Sequence, residues 1–262
     1  MKLNELLTEI EVVKTVNDNN PEIKSLKIDS SAVTKNSLFI CLKGRESDGH
    51  DYVRQAEKYG ASAIISEHET ETTLPQVIVK DSRKAMSKIA AAFYGNPADK
   101  MKLVAVTGTN GKTTTCHILK KILDGAGIDA GVIGTIGTYY KNKFIEPSLT
   151  TPDPIELYKI FSEMQKSGVK VVVMEASAHA LTLEKLSGLK FEVGVFTNLT
   201  QDHLDFFGDM EEYKSAKLKL FKKDVCKIAV VNVDDKTGIE ILNSRDKVIS
   251  YGIDNPSDVF AI

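Results

Sequence analysis

Short apolar runs alternate with stretches of helical repeat along almost the whole chain. Up to about residue 96, Ile23 to Asp29, Ser37 to Leu42, Ser62 to Ser66 and Gln76 to Val79 read as strands, because β-branched and aromatic residues gather there between turn residues. Tyr52 to Tyr59 reads as a helix closed by Gly60. Arg83 to Tyr94 reads as another, with Met86, Ile89, Ala90 and Phe93 forming a core-facing stripe. Gly95-Asn96-Pro97 stops it, and the polar Ala98-Asp99-Lys100 is the candidate linker. The expected division is a small α/β domain over 1–97 and a second domain over 98–262.

From Met101 onward the pattern is strand and helix in turn. Leu103 to Val106, Val169 to Met174 and Val193 to Thr197 are continuous apolar runs of the kind found in buried parallel strands. Lys227 to Val233 and Lys247 to Ser250 read as further strands. Helices are predicted from Lys112 to about Leu123, from Pro154 to Gly168 with Asp153 as N-cap, and from Asp209 to about Lys223 with Glu212 completing a capping box. This alternation implies a mostly parallel sheet with helices on both faces, with ligands at the C-terminal ends of its strands.

Composition narrows the classes. The chain has 262 residues, 42% hydrophobic and 27% charged, as in ordinary globular proteins. A net charge of −2 argues against nucleic acid or a membrane surface as a partner. No apolar run approaches the ~18 residues of a membrane span, and the first residues carry acids where a signal peptide is apolar. Three scattered cysteines, Cys41, Cys116 and Cys226, fit a reducing compartment better than a disulfide framework or a zinc site, which places the chain in the cytoplasm.

The chemistry centres on Val104 to Thr115. A buried strand runs into a glycine-bearing turn and then a helix, the architecture of a phosphate-binding loop. Gly108 and Gly111 let the backbone approach phosphate oxygens, and free amides at the helix start face the anion. Lys112 adds a full charge, and the Thr113 hydroxyl suits magnesium. The full P-loop pattern asks for glycine where Val106 stands, so Gly-x-x-Gly-Lys-Thr remains. An ordinary strand–turn–helix junction is the plainer alternative.

Polar clusters stand at other predicted strand ends: Glu175-Ala-Ser177-Ala-His179, and Thr197-Asn198-Leu-Thr-Gln-Asp202-His203-Leu-Asp205. A carboxylate and an imidazole near a phosphate loop can hold a hydrated divalent cation. Singly, Asp202 or Asp205 reads as a helix cap and His179 as a buried structural histidine. Lys217, with Lys214, Lys219, Lys222 and Lys223 nearby, reads by itself as a solvated lysine on an exposed face. His50, His68 and His117 receive no role, and Phe206-Phe207 reads as core.

Thr107-Gly-Thr-Asn-Gly-Lys-Thr-Thr114, Met174-Glu-Ala-Ser-Ala-His-Ala-Leu181, Thr197 to Asp205 and Glu212-Tyr-Lys-Ser-Ala-Lys217 together resemble the Mur ligases of cell-wall synthesis. Thr150-Thr-Pro-Asp153 points to the E-type branch, as do Ile28-Asp-Ser30, Leu38 to Gly44 and Asp48-Gly-His-Asp51, early segments that the F-type branch shares. The resemblance implies an ATP-dependent ligase. Such an enzyme adds a third amino acid, lysine or diaminopimelate, to UDP-N-acetylmuramoyl-L-alanyl-D-glutamate through an acyl phosphate. It implies ATP and Mg2+ as cofactors, with Gly108, Thr109, Asn110, Gly111, Lys112, Thr113 and Thr114 on the ATP phosphates. It implies Thr113 and Glu175 on one Mg2+, His203 and a carbamylated Lys217 on a second, and Lys112, Lys217 and His203 as catalytic. Ser30 would touch the uridine part, and Thr150, Thr151, Ser177 and Lys185 the sugar-peptide part. Ser31, Ala178 and Lys185 stand where the family usually has arginine, serine and arginine. The family's C-terminal domain, which selects the amino acid, is expected to be absent from these residues. Another Mur-type or folylpolyglutamate-type ligase, or a non-catalytic nucleotide or UDP-sugar binding module, are the alternatives.

Overall fold

The computed structural model describes residues 1–260, and the chain divides into one unit over Met1–Asn96 and a second beginning at Pro97. The first unit runs α1 (Leu3–Leu6), β1 (Val12–Val16), β2 (Ser25–Lys27), β3 (Ser37–Ile40), α2 (Val53–Tyr59), β4 (Ala61–Ser66), β5 (Gln76–Val79) and α3 (Ser82–Phe93). Its sheet has the order β1-β5-β4-β3-β2. β2 to β5 pair in parallel, and β1 closes the edge antiparallel to β5. Every residue of β3 and β5 is buried, which explains the apolar runs Leu38–Ile40 and Val77–Val79 that follow Ser37 and Gln76. On α3 the predicted stripe faces inward: Met86, Ile89 and Ala90 are buried and Phe93 is half-buried.

The second unit runs β6 (Lys102–Thr107), α4 (Lys112–Gly125), β7 (Ala130–Gly134), β8 (Gly137–Tyr140), β9 (Lys143–Ile145), α5 (Pro154–Lys166), β10 (Val171–Glu175), α6 (Ala178–Thr182), β11 (Phe191–Phe196), α7 (Leu204–Phe207), α8 (Met210–Leu218), β12 (Cys226–Asn232), α9 (Lys236–Ser244), β13 (Val248–Gly252) and β14 (Val259–Phe260). The strands form one sheet in the order β14-β13-β12-β11-β6-β10-β7-β8-β9. From β14 to β7 every pairing is parallel, and β8 and β9 extend the edge as antiparallel hairpins. Cys116, Leu119 and Leu123 of α4 pack on Val106, Val132, Val173 and Val195. Met164 of α5 lies over Gly131. Gly131 and Val132 are neighbours on one strand and so face opposite ways, which puts α4 and α5 on opposite faces of the sheet.

Three local expectations are corrected. Asp153 occupies the N-cap position of α5, but its side chain makes no capping bond; Lys185 Nζ claims the carboxylate at 2.9 Å. The capping box of α8 is half formed. Asp209 accepts from the Glu212 amide at 2.8 Å, while the Asp209 amide donates to Phe207 O rather than to the Glu212 side chain. That helix ends at Leu218 and tightens into a single 3-10 turn over Lys219–Phe221.

Candidate functional site

Register brings the polar strand ends level. β6 lies between β10 and β11, with Val106 opposite both Glu175 and Val195, and Thr107 opposite Phe196. The loop 108–111, the start of α4, Glu175 and Thr197 therefore share one end of the sheet. Gly108 holds φ +144°, and a Cβ there would stand 1.9 Å from Thr197 Oγ1, so the loop backbone rests directly on the next strand end. Gly111 takes the left-handed N-cap position of α4 at φ 83°.

The loop is clamped from the β11 side. The Thr197 hydroxyl donates to Asn110 O at 2.7 Å. Asn198 accepts from the Asn110 amide at 3.0 Å through its side chain and from the Thr109 amide at 2.8 Å through its carbonyl. The Thr109 hydroxyl donates to Thr200 O at 3.1 Å and accepts from the Thr200 amide at 3.0 Å. In the sequence Thr197, Asn198 and Thr200 are only part of a polar cluster. Their clamping role depends on strand order, which local sequence does not carry.

Lys112 folds over the loop and donates to Gly108 O at 2.9 Å and Thr109 O at 2.8 Å. Burial lowers its ammonium below the ordinary value, against the Glu175 and Asp202 carboxylates that hold it up. Lys217 overturns its reading as a solvated lysine: it is 1% exposed. Its Nζ donates to the same Gly108 carbonyl at 2.8 Å and sits 4.2 Å from the centre of the Tyr213 ring. Burial, and then the charge of Lys112, push its pKa down to about 7, opposed by Asp202. Lys214, one turn earlier, instead reaches Glu211 at 3.0 Å and Glu240 at 3.4 Å.

Glu175, 1% exposed, is held at every oxygen. Oε1 accepts from the Thr113 hydroxyl at 2.8 Å and the Thr135 amide at 2.9 Å, and Oε2 accepts from the Thr135 hydroxyl at 3.1 Å. The Thr135 hydroxyl also lies 3.1 Å from that of Thr150. Thr151 donates to Glu175 O at 2.9 Å and accepts from the Ser177 amide at 3.2 Å. Ser177 caps α6 through the Ala180 amide at 3.2 Å. Thr135 went unread in the sequence because it lies in a hairpin turn with no pattern around it.

His203 has a left-handed backbone at φ 54° and stacks edge-on with His179 at 4.9 Å between ring centres. Phe206 and Phe207 pack against His179. Thr109, Asn110, Gly111, Lys112, Thr113, Thr114, Thr150, Thr151, Glu175, Ser177, Lys185, His203 and Lys217 all line one cavity of about 620 Å³, together with Thr135, His179 and Tyr213. Gly108 joins through its carbonyl. Ser30 lies in the first unit, where its hydroxyl donates to Gln55 at 2.7 Å. Ser31 bonds Asp29 at 2.8 Å, and Ala178 packs with Phe207, Tyr213 and Ala216 where a hydroxyl would need a partner. His50, given no role, ties its own unit: Nδ1 is 2.5 Å from Asp48 and Nε2 accepts from the Glu67 amide at 2.9 Å.

A hydroxyl and a carboxylate 2.8 Å apart at a phosphate loop are the hard oxygen donors that Mg2+ takes alongside water. Among the described residues no three His, Cys, Asp or Glu side chains gather as a ready-made metal cage.

Comparisons with known proteins identify the family. The Mur ligase middle domain matches residues 106–262, and the domain described as "Mur ligase family, catalytic domain" matches residues 22–94. A UDP-N-acetylmuramoyl-L-alanyl-D-glutamate–2,6-diaminopimelate ligase of Halalkalibacterium halodurans is 43% identical over 98% of this chain and 54% of its own length. The Bacillus cereus protein of the same name is 43% identical over 100% of this chain and 55% of its own. The solved structure of a ligase of that name superposes with a TM-score of 0.85 at 27% identity, over 99% of this chain and 54% of that one. The chain thus spans about half the length of the curated relatives it matches. Both units match Mur ligase domains in the order in which they follow each other along the sequence, and the chain belongs to the Mur ligase family.

Proposed function

We propose that this chain supplies the UDP-substrate-binding domain, over 1–97, and the ATP-binding domain, from 98 onward, of a cytoplasmic peptidoglycan-precursor ligase. The reaction joins an amino acid to UDP-N-acetylmuramoyl-L-alanyl-D-glutamate, and the names of the relatives favour diaminopimelate over lysine. The observation that carries the reading is the buried Lys217, whose amine lies on the phosphate loop beside Lys112.

The γ-phosphoryl group of ATP passes to the substrate carboxylate, and the incoming amine displaces phosphate from that acyl phosphate. The protein's share is positioning and neutralisation of charge. Residues 108–114 seat the ATP phosphates, with Lys112 turning from Gly108 O toward the terminal one. Thr113 and Glu175 would hold one Mg2+ and His203 and Lys217 a second, and the metal would supply neutralisation of negative charge. An amine whose pKa lies at about 7 has a substantial neutral fraction near pH 7 that can add to CO2, lose a proton and become a carbamate, an oxygen ligand in place of a cation. Thr150, Thr151, Ser177 and Lys185 orient the sugar-peptide part, and Ser30 the uridine part.

Calorimetry with Mg2+ and a non-hydrolysable ATP analogue tests the nucleotide site. Wild type is expected to bind, and Lys112→Ala to weaken binding by at least about 2 kcal/mol while melting as before. Equal affinities would reduce the loop to a structural turn. Incubation with labelled bicarbonate, followed by magnetic resonance, tests the carbamate: a signal in wild type and none in Lys217→Met is the expected pair.

A further inference from the structure

The clamp on the phosphate loop is itself held from behind. At the end of β12, Asn232 Nδ2 donates to Thr197 O at 2.9 Å. Asp235 Oδ2 accepts from the Leu199 amide at 2.6 Å, while its Oδ1 accepts from the Thr237 amide at 2.8 Å and caps α9. The Asp234 amide steadies Asn232 by donating to its Oδ1 at 3.0 Å. Gly238 of α9 passes so close that a Cβ there would stand 1.7 Å from Asn232 O. Helix, strand end and clamp segment are therefore seated on one another.

We propose that Asn232 and Asp235 are positioning residues for the nucleotide phosphates. They fix 197–200, and 197–200 in turn fix Thr109 and Asn110 at the loop through backbone and side-chain bonds. Asp235 joins two duties in one carboxylate, one oxygen for the helix and one for the clamp. A phosphate cradle works only when its amides are held to a fraction of an ångström, and such support comes from residues that never touch the ligand. The proposal rests on the reading of the loop as the ATP site.

Asp235→Ser separates the two duties. Serine still caps a helix, but its hydroxyl is too short to serve Leu199 as well. Asp235→Asn serves as a second variant of unchanged size: its oxygen caps α9, and its amide then faces the Leu199 N–H donor to donor. Hydrogen exchange of the nucleotide-free 262-residue chain is the first readout. Thr109, Asn110, Leu199 and Thr200 amides are expected to exchange at least about tenfold faster, the loss of one hydrogen bond to a charged group, with Ile239 to Ile241 of α9 unchanged. Affinity for a Mg2+–ATP analogue, the second readout, is expected to fall by a similar factor. Unchanged loop exchange in both variants overturns the proposal. So does loosening of α9 together with the loop, which would make Asp235 a helix cap alone. If wild type fails to bind the nucleotide, the ATP reading falls, and the exchange data still decide whether the strut holds the loop.

Discussion

The Lys217 amine lies between a carbonyl and an aromatic face, with a second ammonium close by. Its ordinary value of 10.5 falls to about 7 on folding. Below pH 7 the amine is charged in both states, and the full cost of burying that charge weighs on the fold. Between pH 7 and 10.5 the folded state sheds the proton first, so stability rises with pH, and above 10.5 the cost is gone. Against a Lys217→Met variant in CO2-free buffer, wild type is expected to gain about 2 kcal/mol between about pH 7 and pH 9 by urea unfolding. A flat difference across that range would mean the amine is not buried as a cation. Lys214→Ala should move stability by less than about 0.5 kcal/mol, since it removes only surface pairs. Nothing local distinguishes these two lysines. Lys217 faces inward because α8 packs Tyr213 and Ala216 into the Phe207 cluster, which the sequence shows only to a reader who already knows the packing.

At the scale of elements, the chain states where a helix begins more clearly than what its cap does. Proline at 154 after an acid marks the start of α5, yet the partner of Asp153 is Lys185, far along the chain. Asp153→Asn keeps a competent capping residue and removes the partner of a nearly buried ammonium, so a loss of about 2 kcal/mol is expected by chemical denaturation. Were the carboxylate merely a cap, the substitution would be neutral. Asp209 does cap α8, and Asp209→Ala should cost about 1 kcal/mol. Continuous apolar strands such as β10 were legible because both faces are covered. β7 was not, since Ala130, Gly131 and Gly134 dilute its run, and β1 was not, since it is an exposed edge. Strand order was the larger gap: it alone places Thr197, Asn198 and Asn232 behind the loop.

For the whole molecule, the resemblance carried further than pattern, because motifs scattered over 107–217 fall at one end of the second unit's sheet only through topology. The matched relatives extend to nearly twice the span shared with this chain. Lys112, Thr113, Glu175, His203 and Lys217, the groups proposed above to seat phosphates and cations, line one cavity. Transfer to a carboxylate and attack by an amine need both reactants held in line and water excluded, which in such enzymes is completed by closure of a further element. Residues 1–262 alone are therefore expected to bind Mg2+–ATP and the UDP-linked dipeptide, yet to release phosphate and form tripeptide at least about a thousandfold more slowly than a full-length relative assayed in parallel, the range opened when positioning is lost. Adding either amino acid should leave the phosphate release of the 262-residue chain unchanged. Turnover comparable with the full-length enzyme, or stimulation by diaminopimelate, would show that these two domains already contain the amino-acid site and the closed geometry.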